Sequence, residues 1–283
     1  MTDIRRITVL GAGTMGHGIA YASIAAGYST CLFDVSQAAL EKGRAAIESI
    51  VAKGVELGKV PAGDAGSMMK RLTTTSETQS ALDGADLVIE AAPERIDLKV
   101  QLFAEIERLA PATAIIASNT SALSITEMAA TLANPSRVAG MHFFNPVHKM
   151  KLIEIVQALE SSPETLHAIE QVARRMGKET VLVRESPGFI TTRVNASLGN
   201  EAFYMLMEGV ASARDIDKAL KLGLNHPMGP FELVDLVGLD TRLSILQYLH
   251  RTMGEKYRPC PLLVQYVHAG RLGRKVGRGV YEY

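Results

Sequence analysis

A chain of 283 residues has room for about two domains and a sizeable core. Hydrophobic residues at 47% and charged residues at 21% are globular values and exclude a disordered chain. The 30 Lys and Arg balance the 30 Asp and Glu, so no net field draws the chain to nucleic acid or to an anionic membrane. Cys31 and Cys260 are too few for a disulfide framework and fit a reducing compartment. The His residues form no zinc-ligand pattern, so no metal is expected.

The first apolar run, Ile7 to Leu10, ends in Gly11-Ala12-Gly13-Thr14-Met15-Gly16, the G-x-G-x-x-G layout of a strand, a tight turn and a helix start. The first glycine permits the turn, the second lets backbone approach a pyrophosphate, and the third lets helix and strand pack closely. Amides of the turn and the positive end of the helix dipole favour phosphate. A second apolar run, Cys31 to Phe33, ends in Asp34, about 20 residues on, where a carboxylate accepts from a ribose 2′-hydroxyl and repels a 2′-phosphate. The spacing predicts an NAD site. Residues 7–33 hold no Asp, Glu, Lys or Arg, but glycines divide them into strand, helix and strand, which argues against a membrane span. Asp3, Arg5 and Arg6 lead into the fingerprint, not into a signal cleavage site, so a cytoplasmic protein is expected.

The first helix should run from about Met15 to Ala26, closed by Gly27. Ser36 can cap a long helix to about Gly58, and Pro61 to Arg71 reads as a shorter one; together (about 36–71) they form a helical arm inserted between strands. Strand-like runs follow at Leu87–Ala91, Ala114–Ala117, Val138–His142, Leu152–Val156 and Thr180–Val183, with helices at Leu98–Leu109 and Pro163–Met176. This alternation predicts a parallel, doubly wound Rossmann-type sheet over residues 1–185. Beyond Glu185 only helices are expected, at about Phe189–Glu208, Ala213–Leu222, Pro230–Met253 and Pro261–Ala269, making an all-α domain over residues 186–283. The basic, glycine-rich end, Gly270 to Gly279, reads equally as a solvated tail or as a loop folding onto phosphates.

Ligands of open α/β sheets bind beyond the carboxyl ends of the strands. Asp34, the loop Ser118-Asn119-Thr120-Ser121, and His142 fall at such ends. Pro146 permits a turn after the strand, so Glu154 can lie on the neighbouring strand beside His142. A His with a carboxylate partner suits a general base for alcohol oxidation, although a His among Phe143 and Phe144 also suits a core position.

The chain resembles the L-3-hydroxyacyl-CoA dehydrogenases, including 3-hydroxybutyryl-CoA dehydrogenases, along nearly its whole length. The resemblance rests on the glycine loop, Ser118 to Ser121, His142-Phe143-Phe144-Asn145-Pro146 with Met150-Lys151-Leu152, Pro187-Gly188-Phe189, and His226-Pro227-Met228-Gly229-Pro230. It implies His142 as base, Glu154 as its partner, Ser121 near the reacting oxygen and Asn145 near the thioester or nicotinamide. It further implies cofactor contacts from Glu94, Lys99, Asn119 and Lys275, and a helical arm facing coenzyme A with Lys53 or Lys59 toward its phosphates. The helical domain would carry part of the substrate cleft and a homodimer contact. One departure is Thr192, which stands where the family has an Asn that helps place substrate; its hydroxyl is shorter and lacks the amide's two donors.

The expected activity is NAD-dependent oxidation of an (S)-3-hydroxyacyl-CoA. Rival readings are an NAD-dependent dehydrogenase of a free hydroxy acid, of the L-gulonate or L-carnitine type, and a non-catalytic NAD-binding protein. The Phe143-Phe144 pair and the long arm favour the acyl-CoA branch.

Overall fold

The computed structural model describes residues 3–283 and divides into two compact units, one ending at Glu185 and one spanning Ser186–Tyr283. The first unit runs β1 (Arg6–Leu10), α1 (Thr14–Ala25), β2 (Ser29–Phe33), α2 (Gln37–Glu56), α3 (Ala62–Lys70), β3 (Leu72–Thr75) and α4 (Thr78–Leu82). It continues through β4 (Leu87–Glu90), α5 (Ile96–Leu109), β5 (Ile115–Ser118), α6 (Ile125–Ala129), β6 (Val138–Phe143), β7 (Leu152–Gln157), α7 (Pro163–Arg175) and β8 (Glu179–Arg184). One sheet takes the order β3-β2-β1-β4-β5-β6-β7-β8. β4, β5 and β6 are buried along their whole length, which is why they read as unbroken apolar runs.

The sheet is parallel with one exception. β6 and β7 are antiparallel, because the loop from Phe144 to Lys151 is too short for a crossover helix, which needs about a dozen residues. That exception puts His142 directly opposite Glu154.

The expected arm is present as α2 and α3, and the Ser36 side chain caps α2 by accepting from Ala39 N. Leu40, Ile47, Val51 and Met68 join the same core as Ile19 and Leu32, so the helices lie against the sheet layer. The edge strand β3 was not expected; its Leu-Thr-Thr-Thr sequence carries one apolar residue, but β-branched side chains suit a half-exposed edge beside β2.

The second unit holds α8 (Thr191–Met207), α9 (Ala213–Gly223), α10 (Pro230–Val237), α11 (Leu239–Met253) and α12 (Pro261–His268). Its core centres on Phe203 and Phe231, whose rings meet edge-to-face at 5.2 Å. The single helix expected over Pro230–Met253 is instead two. Gly238 between them has φ 106°, outside any right-handed helix, and an added Cβ there would lie 2.9 Å from Asp240 Oδ1.

The basic segment is exposed at Arg274, Lys275 and Arg278, as a solvated tail would be, but the residues that follow it are fastened down. Buried Asp235 accepts from Val280 N (2.8 Å), Tyr281 N (2.9 Å) and the Tyr283 hydroxyl (3.0 Å). Buried Asp217 accepts from Phe231 N, Glu232 N and the Tyr281 hydroxyl. Two carboxylates thus fasten the tail to α9 and α10. Among the described residues no helix is long and apolar enough to cross a membrane.

Candidate dinucleotide and acid–base site

The glycine loop has the geometry that its spacing predicts. Gly11 sits at φ 103°, and a Cβ on it would lie 2.7 Å from the Ala91 carbonyl oxygen. A Cβ on Gly16 would collide with the Gly11 carbonyl, whereas one on Gly13 would meet nothing within 4 Å. The loop is therefore packed beneath and open above. Gly13 caps α1 with no side-chain acceptor, which leaves the first-turn amides, around Thr14 and Met15, to an incoming anion. Asp34 Oδ2 accepts from Ala12 N at 2.8 Å and Oδ1 from Ser36 N at 2.9 Å. A carboxylate has about four acceptor positions, so Asp34 keeps capacity for ribose hydroxyls. These residues fit a dinucleotide.

Beside this loop lies a network organised by Glu90, a wholly buried carboxylate at the end of β4. Its Oε1 accepts from Lys99 Nζ and from Ala92 N, both at 2.6 Å, and its Oε2 accepts from Ser118 Oγ at 2.6 Å. Lys99 is buried as well and also donates to the Ala92 carbonyl at 3.2 Å, with Glu94 Oε2 3.4 Å away. Glu94 Oε1 accepts from Thr120 Oγ1 (2.5 Å) and Ser121 N (2.9 Å). The ammonium of Lys99 is thus spent on protein acceptors, and its place is beneath the loops, not on their outer surface. Glu94 reaches across to hold the Ser118–Ser121 loop and remains partly exposed.

At the end of β6, His142 Nδ1 and Glu154 Oε2 are 2.7 Å apart, with both residues buried. The carboxylate only accepts, so Nδ1 carries the proton and donates it. The Phe144 ring lies 4.5 Å from the His142 ring and covers one side of it. Asn119 Oδ1 accepts from Phe143 N at 2.9 Å, which ties the end of β5 to the residue after His142. Asn145 follows on the exposed loop. Gly11, Asp34, Glu94, Ser121 and His142 all stand at the carboxyl edge of the parallel strands, where β1, β2, β4, β5 and β6 end.

Other expected residues sit on other elements. Lys53 is exposed and donates to Glu56 at 2.7 Å. Thr192 lies in the first turn of α8, and Lys275 pairs with Asp240 at 2.6 Å, both within the second unit. A cavity of about 870 Å³ at the opposite, amino-terminal edge of the sheet touches Ile4, Tyr28, Arg137 and His167 and holds none of the expected residues. Glu90 was missed in the sequence, although a lone carboxylate closing the apolar run Leu87-Val88-Ile89 is a signal that could have found it.

A sheet of this topology, with a phosphate-ready glycine loop, an acid closing β2 and a buried His–Glu pair on the same edge, has the architecture of a nicotinamide-dinucleotide oxidoreductase. Residues 6–186 match the family described as 3-hydroxyacyl-CoA dehydrogenase, NAD binding domain, and residues 188–283 match 3-hydroxyacyl-CoA dehydrogenase, C-terminal domain. The chain belongs to the 3-hydroxyacyl-CoA dehydrogenase family, a family of NAD-dependent oxidoreductases. It is 46% identical over 282 residues to a probable 3-hydroxybutyryl-CoA dehydrogenase of Bacillus subtilis (strain 168), covering 99% of this chain and 98% of that one. It is 43% identical to a 3-hydroxybutyryl-CoA dehydrogenase of Bradyrhizobium diazoefficiens, covering 99% and 96%. Among solved structures, the (S)-3-hydroxybutyryl-CoA dehydrogenase of Ralstonia eutropha superposes with a TM-score of 0.95 at 42% identity, covering 99% of each chain.

Proposed function

We propose that this chain catalyses the reversible oxidation of a (S)-3-hydroxyacyl-CoA, such as 3-hydroxybutyryl-CoA, to the 3-oxoacyl-CoA, with His142 and Glu154 as its acid–base pair. The observation that carries this reading is the buried 2.7 Å contact between those two side chains at the nucleotide edge of the sheet. Bound NAD supplies the hydride acceptor. With Nδ1 held by Glu154, proton exchange with the 3-hydroxyl falls to His142 Nε2. Glu154 stabilises the imidazolium that forms as the proton leaves oxygen and the hydride leaves C3. In reverse, His142 returns that proton to the alkoxide oxygen.

Ser121 then hydrogen-bonds at the reacting oxygen, its backbone placed by Glu94. Asn145 serves the thioester or nicotinamide from its loop. Lys99 supports the cofactor side through Glu90 and Glu94. Thr192 and Lys275 are assigned to substrate and cofactor by family correspondence.

For the coenzyme A phosphates the charge pattern favours Lys59 over Lys53, whose ammonium is bound to Glu56. Burial holds the His148 imidazole below its usual range, and the cations Lys149, Lys178 and Lys59 lower it further. A positive region of that kind suits a polyphosphate. The helical unit, with exposed Val194, Met207, Val210, Leu222 and Leu224, is our candidate for a homodimer contact. Free, buried Cys31 and Cys260 agree with a cytoplasmic enzyme.

The test is NADH consumption on adding acetoacetyl-CoA, with free acetoacetate as control. Rapid loss with the thioester alone supports the proposal. Loss with the free acid alone would move the chain to the hydroxy-acid branch, and NADH binding without turnover on either would make it a binding protein.

A further inference from the structure

The loop from Phe144 to Lys151 carries Asn145 and joins the strand of His142 to the strand of Glu154. Its own backbone closes one turn, with Lys149 N and Met150 N both donating to the Pro146 carbonyl at 2.9 and 3.0 Å. The carbonyls of Val147 and Met150 are instead taken by Lys178. Its Nζ donates to both, at 2.7 Å to Met150. Lys178 is itself anchored, since its backbone N–H donates to Ala173 at the end of α7. Its side chain is half-buried, and burial pushes its pKa below the usual lysine range. No carboxylate lies within ion-pair distance of it among the described residues, so this cation is committed to two backbone oxygens.

The same loop is seated on the dinucleotide helix. The Val147 side chain is buried, and a Cβ on Gly18 of α1 would lie 2.9 Å from both Cβ and Cγ2 of Val147. Cβ atoms essentially never approach that closely, so Gly18 is what allows Val147 to rest on α1. Gly18 lies about one turn beyond the amides that face the phosphates. One loop is therefore held both by α1 and by Lys178, and its Asn145 comes three residues after His142.

We propose that Lys178 and the Gly18–Val147 contact form a positioning clamp, which sets Asn145 and the end of β6 relative to the bound dinucleotide. Neither Lys178 nor Val147 touches the reacting atoms in this reading. They act through the loop. The inference rests on the proposed 3-hydroxyacyl-CoA dehydrogenase activity. A displaced positioning group weakens the transition state while leaving cofactor binding in place.

The test measures kcat and KM for acetoacetyl-CoA, and NADH affinity by fluorescence titration, on the full-length protein. Lys178→Met, which keeps the stem and removes the donors, is expected to lower kcat by about tenfold or more while NADH affinity changes by less than about twofold. Lys178→Arg, which keeps donors, should recover most of the loss. Independently, Gly18→Ala should lower kcat by pushing Val147 off its seat, and Gly18→Ala with Val147→Ala should restore much of it. Wild-type kcat in Lys178→Met overturns the clamp. If Lys178→Met does not fold, the double variant decides: activity no better than Gly18→Ala alone overturns the proposal, and recovery supports it. A wild-type protein inactive on acetoacetyl-CoA overturns the functional reading, and this inference with it.

Discussion

Glu154 faces His142 across an antiparallel step of the sheet and holds its Nδ1 at 2.7 Å, with both residues buried. A carboxylate so placed fixes the tautomer and balances the charge that appears on the ring. Glu154→Gln preserves the shape but removes the charge, and kcat for acetoacetyl-CoA reduction should fall by about 10²-fold or more. His142→Ala should abolish turnover while NADH still binds. Near-normal kcat in either variant, measured beside an unchanged NADH titration, would remove the pair from the mechanism.

Lys99 and Glu90 are the most deeply buried ion pair of the first unit, with side chains 1% and 0% exposed. Lys99→Met leaves the Glu90 carboxylate without its cation and should cost about 3–5 kcal/mol of stability. Lys99→Met with Glu90→Gln should cost clearly less, because the stranded charge is gone. Urea unfolding of the two variants checks this, and equal losses would show that the pairing does not matter.

Asp34 meets the amides of Ala12 and Ser36 and stands where a ribose would be read. Asp34→Ala should narrow the preference for NAD over NADP and also raise the KM for NAD, since the loop loses a strut. Steady-state constants with both cofactors decide it. An unchanged NAD/NADP ratio would sink the assignment.

Asp217 introduces a pH dependence. Burial raises its carboxyl above the ordinary range, against the lowering effect of hydrogen bonds from Tyr281, Phe231 N and Glu232 N. The folded state therefore holds this proton more tightly than the unfolded one. The stability Asp217 contributes is full below the unfolded value of about 3.9 and is lost as pH rises toward the folded value. The stability of Asp217→Asn minus that of the parent should accordingly grow with pH upward from that point. Denaturation series on both proteins give the difference, and a flat or falling one contradicts the sign.

The sequence disclosed what short-range pattern encodes. Apolar runs such as Leu87–Ile89 announced the buried strands, Ser36 announced its helix, and the glycine loop announced a turn that only small residues permit. Apart from the His142–Glu154 pairing, which the short turn at Pro146 announced, long-range pairing was not legible. Lys99 reads locally as a helix-face charge, and only the fold carries it to Glu90. Lys178 sits in a polar turn like many others until the tertiary structure brings two carbonyls to it. Gly238 was visible as a glycine, yet the helical spacing of apolar residues continued across it and hid the break. β3 was hidden for the opposite reason, since its threonines have the branching of a strand without its hydrophobicity.

Asp34 also limits how such an enzyme can change over evolutionary time. The carboxylate we propose to select the cofactor also props up the glycine loop. A lineage moving toward NADP could not simply discard the acid; it would need another acceptor for Ala12 N before, or together with, any new cation for the 2′-phosphate. On that proposal, cofactor preference is buffered against single substitutions, because Asp34 is also scaffolding.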